Sequence, residues 1–248
     1  MLLIFTEFLL NNYTPLHKLQ EMNPCKFLVI LLFLIGTSFT SNKPLKSKVN
    51  PEEITNLQYF EPISYIYFIN KDNKDELSES MSQASMGLIR KFEKNYRNEL
   101  HLQDEILFPD TIIRNRVKHE LELNIGAINR FGNLYCLKPT PVIDSILLSK
   151  GKRFGLLMSS IGFTREKGNY GQERAKFQAK YFLSNGWDNE MPMPMQSALY
   201  AVIFDAKEHD VAFFGKSDRS EQPLKEDLLE KRFTEIFQGY LLKNRFDF

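Results

Sequence analysis

Cysteine, histidine and tryptophan are scarce in this chain, and each shortage removes a class of chemistry. The 248 residues hold two cysteines, four histidines and one tryptophan. Cys25 lies in front of an apolar run that reads as a cleaved leader, so Cys136 stands alone and no internal disulfide is expected in the mature chain. No activating pattern surrounds Cys136, which reads as a small buried hydrophobe. The histidines have no paired spacing. His119-Glu120 starts like a zinc-protease helix motif, but Leu123 stands where the second histidine would be. Gly215-Lys216-Ser217 ends like a phosphate loop, yet Asp210 occupies the place of its first glycine. Ser159-Ser160 lacks the flanking glycines of a nucleophile elbow. No metal, cofactor or catalytic residue is therefore expected. Net charge is also small, at +1, which gives no electrostatic case for nucleic acid.

What is present is apolar and aromatic. Hydrophobic residues make up 43% of the chain and 21 of them are phenylalanine, enough for a sizeable core. Met22–Lys26 is a short positive start, Phe27–Gly36 is unbroken apolar sequence, and Thr37–Ser41 supplies small residues for cleavage. That is the layout of a secretory signal peptide. The run is short for a membrane span, which needs about 20 apolar residues. No cysteine follows it, so lipidation is not expected. Residues 1–21 read as a mis-assigned extension, 22–41 as the signal peptide, 42–58 as a flexible mature N-terminus carrying Lys43, Lys46 and Lys48, and 59–248 as one domain. The expected location is the periplasm or cell envelope.

The pattern predicts an α/β (or α+β) fold with a single mixed sheet of at least four strands. These are Ile63–Ile69, Phe154–Ile161, Ala198–Phe204 and Val211–Gly215, with brief strands within Leu100–Phe108 and Asn133–Leu137. Ala198–Phe204 is apolar on both faces, as a strand covered on two sides should be. A six-residue polar turn, Asp205–Asp210, joins it to the last strand. Helices are predicted at Asn73–Asn98, Asp110–Arg130, Pro141–Lys150 and Pro223–Leu242, the last long and amphipathic. Ser78, Ser80, Ser82 and Ser85 read as solvated helix positions.

Gly162–Gln196 is the irregular stretch. It contains the turn Gly168–Gly171, the ambiguous segment Glu173–Leu183, the only tryptophan, and the alternating run Met191-Pro192-Met193-Pro194-Met195. Long insertions between core strands often carry function. The methionines read as adaptable apolar filler on an extended segment, with Cu(I) ligation by soft thioethers as the sharper reading. Tyr170, Trp187, Met193 and Met195 are the candidate contact residues, since aromatics and methionine are favoured at interface centres.

The element order, with Ser197–Ala206, Val211–Phe214 and the Pro223 helix, resembles the exported α/β modules of the curli-secretion-channel lipoprotein and of the lipoproteins that activate penicillin-binding proteins. It is also similar to uncharacterised envelope proteins of Bacteroidetes-type bacteria. The resemblance implies a non-catalytic assembly or regulatory module without a cofactor, although this chain lacks the lipid-bearing cysteine. The expected partners are envelope proteins or a second copy of the chain, without nucleic acid, and any membrane association is not by lipidation. The alternative expectation is an extracytoplasmic hydrolase using Asp or Glu with His101 or His119 in a cleft.

Overall fold

In a computed structural model that describes residues 46–135, 137–183 and 191–242, the elements follow in order. They are β1 (Lys46–Ser47), β2 (Leu57–Phe60), β3 (Ile63–Ile69), β4 (Asp75–Leu77), α1 (Glu79–Asn95), β5 (Leu102–Ile106) and α2 (Thr111–Phe131). Then come α3 (Pro141–Ser149), β6 (Phe154–Arg165), α4 (Asn169–Leu183), β7 (Gln196–Asp205), β8 (Asp210–Arg219) and α5 (Glu226–Phe237). All eight strands form one mixed sheet, ordered β1-β8-β7-β6-β2-β5, with β3 on β6 and β4 on β3. β7 is antiparallel to both β6 and β8, whereas β2 and β3 run parallel to β6.

Helices lie on both faces, which is why β7 has no polar side. Leu199, Ala201 and Ile203 pack with Ile89 and Phe92 of α1 and with Leu229, Phe233 and Phe237 of α5. Tyr200, Val202 and Phe204 pack with Val117, Leu121 and Ile125 of α2 and with Ile143 and Leu147 of α3. Alternation along one strand thus feeds two cores.

Proline divides one edge of β6. β2 pairs with it at Gly155 and Leu156, and β3 pairs with it from Ser159 to Arg165. Between them stand Glu61 and Pro62, and Pro62 has no N–H to give a ladder.

Local chemistry sets the helix ends. The Asp110 carboxylate accepts from Ile113 N at 2.8 Å and starts α2, and Gly132, at φ 71°, stops it in the left-handed region. Pro141 opens α3.

Several expectations need correction. The 42–58 stretch is not a loose tail over its described part: β1 pairs with β8, Ile54 is buried, and β2 begins at Leu57. Isolated apolar residues among polar ones hid this, because burial there comes from docking and not from periodicity. The first helix starts at Glu79 instead of Asn73. Asn73 adopts φ 61° in the β3–β4 turn, where asparagine tolerates the left-handed region, and Ser78 is the actual cap. Ser82 is not solvated: its hydroxyl donates to Ser78 O and accepts from Ile66 N, and Ser85 is also buried. Asn133–Tyr135 forms no strand. The turn after β7 is four residues, since Asp205 and Asp210 pair within the ladder, and Ala206 is fully buried. α5 ends at Phe237, because Gln238 is extended and Gly239 turns at φ 78°.

Gly162 is required for close packing. A Cβ there would meet the backbone oxygen of Gln196 at 2.5 Å and Pro223 at 3.2 Å. Gly162→Ala is expected to cost about 2 kcal/mol, read as a lower urea midpoint, because neither β7 nor its neighbour can move aside cheaply.

Candidate functional site

The helices on the α2–α3 side cover only part of the sheet. Past Leu157 and Val202, the same face continues outward through Ser159, Ile161 and Phe163 on β6. Beside them are Tyr65, Tyr67 and Ile69 on β3, Tyr200, Ala198 and Gln196 on β7, and Lys216 and Asp218 on β8. Here the sheet surface forms a cleft of about 280 Å³, lined among others by Tyr67, Phe163, Tyr200, Asp75, Gln196 and Asp218. Strand alternation puts the rings on one side, where Tyr67 and Phe163 are half-buried and Tyr200 is buried with the α2–α3 core.

Its polar groups are arranged in pairs. Asp218 accepts from Gln196 Nε2 at 3.0 Å and pairs with Lys216 at 3.3 Å. The Lys216 ammonium lies 5.6 Å from the centre of the Tyr200 ring, and Lys118 of α2 lies 3.9 Å from that of Tyr65. Asp75 comes from β4, in register with Ile69.

Arg165, at the end of β6, fixes the rim. Its Nε donates to Met193 O at 2.8 Å, and its Nη1 donates to Asn73 Oδ1 and Asn169 Oδ1. Asn169 is buried and donates to Asn70 O at 2.7 Å. The Glu166 carboxylate accepts from Lys71 N at 3.0 Å. One arginine thus joins the β3–β4 turn, the start of α4 and the Met-Pro run. Gly168–Gly171, expected as a flexible turn, instead runs into the first turn of α4 through this network, and Glu173–Leu183 is helical.

The sequence-derived candidates fall around the cleft, not in it. Met193 is exposed, its carbonyl tied to Arg165 and its sulfur 3.7 Å from Ser220 Oγ. Met195 is half-buried just before β7, and Tyr170 is half-buried on α4. None of the three lines the cleft. Trp187 and Cys136 lie outside the described residues. The lining residues Phe163, Gln196 and Asp218 lie just beyond the predicted strand ends at 161, 198 and 215. Tyr67 and Tyr200 lie inside predicted strands, but only the full topology shows that they line one cleft.

The hydrolase expectation finds its carboxylates and histidines apart. His101 sits in a turn at φ 54° and His119 is exposed on α2. Glu120 points inward and accepts from Val142 N and Ile143 N at 2.8 and 3.1 Å, so it caps α3. Burial raises its pKa against the pull of those two N–H groups. A His–acid pair does exist: His209 Nδ1 is 2.9 Å from Asp144 Oδ2, and Asp144 also accepts from Thr140. The His209 side chain is 64% exposed, on the turn at the other end of the hairpin from the cleft. It ties that turn to α3 and has no place in the aromatic cleft. Among the described residues, no cluster of three His, Cys, Asp or Glu is arranged to hold a metal, and no helix is long and apolar enough to cross a membrane.

No family model and no curated protein matches the chain. Among solved structures it is similar to the PelC dodecamer from Paraburkholderia phytofirmans, with a TM-score of 0.36 and 7% identity over 81% of this chain and 96% of that one. It is also similar to the LpoB C-terminal domain from Salmonella enterica, with a TM-score of 0.28 and 9% identity over 71% and 88% of the two chains. A lipoprotein from Neisseria meningitidis matches with a TM-score of 0.29 and 9% identity over 75% and 98%. At these scores they are likenesses only and place the chain in no family.

Proposed function

We propose that this chain is an exported, non-catalytic binding module of the cell envelope. It holds its partner, an envelope protein or a second copy of itself, across the aromatic cleft and the 168–196 segment beside it. The observation that carries this reading is a cleft lined by the half-buried rings of Tyr67 and Phe163 on paired strands, next to a rim pinned by Arg165. Binding sites are concave and mostly apolar, with a few fixed polar groups, and this cleft has that composition. The apolar run at Phe27–Gly36 supports export.

Site-specific crosslinking in the native envelope tests the reading. A photoreactive residue at Leu77, exposed on the lip of the cleft, is expected to capture a discrete partner. The same residue at Leu148, exposed on α3, is expected to capture none. Removing residues 185–194 is expected to abolish the Leu77 adduct while leaving the thermal midpoint of the fold nearly unchanged. Identical adducts at both positions, or none at Leu77, would sink the proposal.

A further inference from the structure

We infer that the corner of the cleft made by Tyr67 and Asp75 is the seat for a basic side chain, lysine or arginine, supplied by a partner polypeptide. The inference rests on the binding reading above and gives that partner its chemistry. The molecule itself shows what this face holds. Lys216 sits between the Tyr200 ring and the Asp218 carboxylate, and Lys118 sits over the Tyr65 ring. Each is an ammonium drawn to the negative face of an aromatic ring and also paired with a carboxylate, Asp218 for Lys216 and Glu122, at 3.7 Å, for Lys118.

The same pair of groups recurs at the far side of the cleft with no occupant among the described residues. Tyr67 and Asp75 both line it, on adjacent strands and on the same face, because Ile69 faces Asp75 and Tyr67 faces Leu77 in the β3–β4 register. Among the described residues, no cation lies over the Tyr67 ring and Asp75 makes no ion pair, though Lys118, seated over Tyr65, also feels Tyr67 electrostatically. Leu77, beside Tyr67, is 51% exposed and offers apolar cover for an aliphatic stem. A ring, a free carboxylate and an apolar wall match a long side chain with a cationic head. An anionic ligand would meet Asp75 and Asp218 at both ends of the cleft.

The test uses the full chain and two blocked tripeptides, Leu-Arg-Leu and Leu-citrulline-Leu, which share shape but not charge. The arginine peptide is expected to bind with amide shifts centred on Tyr67, Asp75 and Leu77. Citrulline is expected to weaken binding about tenfold, the size of a lost cation–aromatic contact plus an ion pair. Asp75→Asn is expected to remove that preference while leaving citrulline binding as it was, since the two changes share one interaction. Equal affinity for both peptides, shifts elsewhere, or no binding overturns the assignment. If Leu77 still captures its partner in those cases, the binding reading stands and only the basic side chain falls. Loss of the Leu77 adduct removes both. Self-association of the free chain that vanishes in Asp75→Asn would bear the inference out with a second copy as the partner, exposed Arg174 of α4 being the source of the basic side chain to examine.

Discussion

Arg232→Leu is expected to lower the stability of the fold by about 3 kcal/mol. The guanidinium is 3% exposed on the inner face of α5, between Leu229 and Phe233. Its Nη2 donates to Ser197 O at 2.7 Å and to Ser217 O at 2.6 Å, and its Nε donates to Ser217 Oγ at 3.1 Å. One side chain therefore spans both strands of the β7–β8 hairpin near their open ends. Burial lowers its pKa, with Glu221 and Asp218 pulling the other way, and no carboxylate among the described residues bonds it directly. Each bond from a charged donor is worth about 1.5–3 kcal/mol, and the cost of burying the cation offsets part of that sum. Leucine restores the apolar packing but takes the charged donor away from the Ser197 and Ser217 carbonyls. Arg232→Lys is expected to lose at least half as much, because an ammonium has no planar fork to bridge the two strands. Urea midpoints give the totals. Faster amide exchange near Ser197 and Ser217 gives the location, and the cleft residues Gln196 and Asp218 lie on these same strand ends. Wild-type stability in Arg232→Leu would mean that the burial penalty cancels the bonds.

The legible parts of this fold are those where one local signal has one outcome. Asp110 and Gly132 bracket α2, Pro141 opens α3, and Ile63–Ile69 is a strand at both its predicted ends. The two-faced apolar pattern of β7 correctly implied cover on both sides. The illegible parts depend on distant partners. β2 is four residues with a polar one in its middle, and only its pairing with β5 and β6 makes it a strand. Arg232 looks in sequence like any polar-face helix position, because its acceptors are 15 and 35 residues away. The cleft was missed for the same reason. Its lining comes from strand tails of mixed polarity, which carry no apolar period of their own but continue the ladder because β6, β7 and β8 support one another. The 168–196 insertion was recognisable as irregular, and the structure places its Met-Pro end at the rim through Arg165. No local pattern announces a buried acid on a helix, yet α1 has one.

Glu93 should make the protein less stable as pH rises, and Glu93→Gln should abolish that slope. Glu93 is 1% exposed, and neither carboxylate oxygen has a hydrogen-bond partner among the described residues. Burial holds its pKa well above the ordinary glutamate value of 4.5, Glu105 across on β5 pushes it further up, and Arg90 on the preceding turn of α1 pulls it down. Arg90 is already engaged, 2.8 Å from Glu105 and 3.4 Å from Glu61, so it offers Glu93 little relief. Tyr59 faces the same site from β2, and its own pKa is raised by burial first and then by Glu105 and Glu93. The folded state therefore keeps a proton that the unfolded chain has released. The stability tied to that proton is complete below pH 4.5 and is lost as pH climbs through the raised folded value. Below that window wild type and Glu93→Gln are expected to be nearly equal, since a protonated carboxyl and an amide are both neutral. Above it the variant is expected to be more stable by about 1–3 kcal/mol, the cost of a buried polar group left unpaired. Glu93→Leu should gain over wild type at every pH, because it removes the polar group along with the charge. Denaturation midpoints of the three proteins across the range decide the matter. Parallel pH profiles for wild type and Glu93→Gln would mean that the carboxyl is reached by water or by a cation, and that α1 lies less tightly over β2 and β5 than its buried face implies.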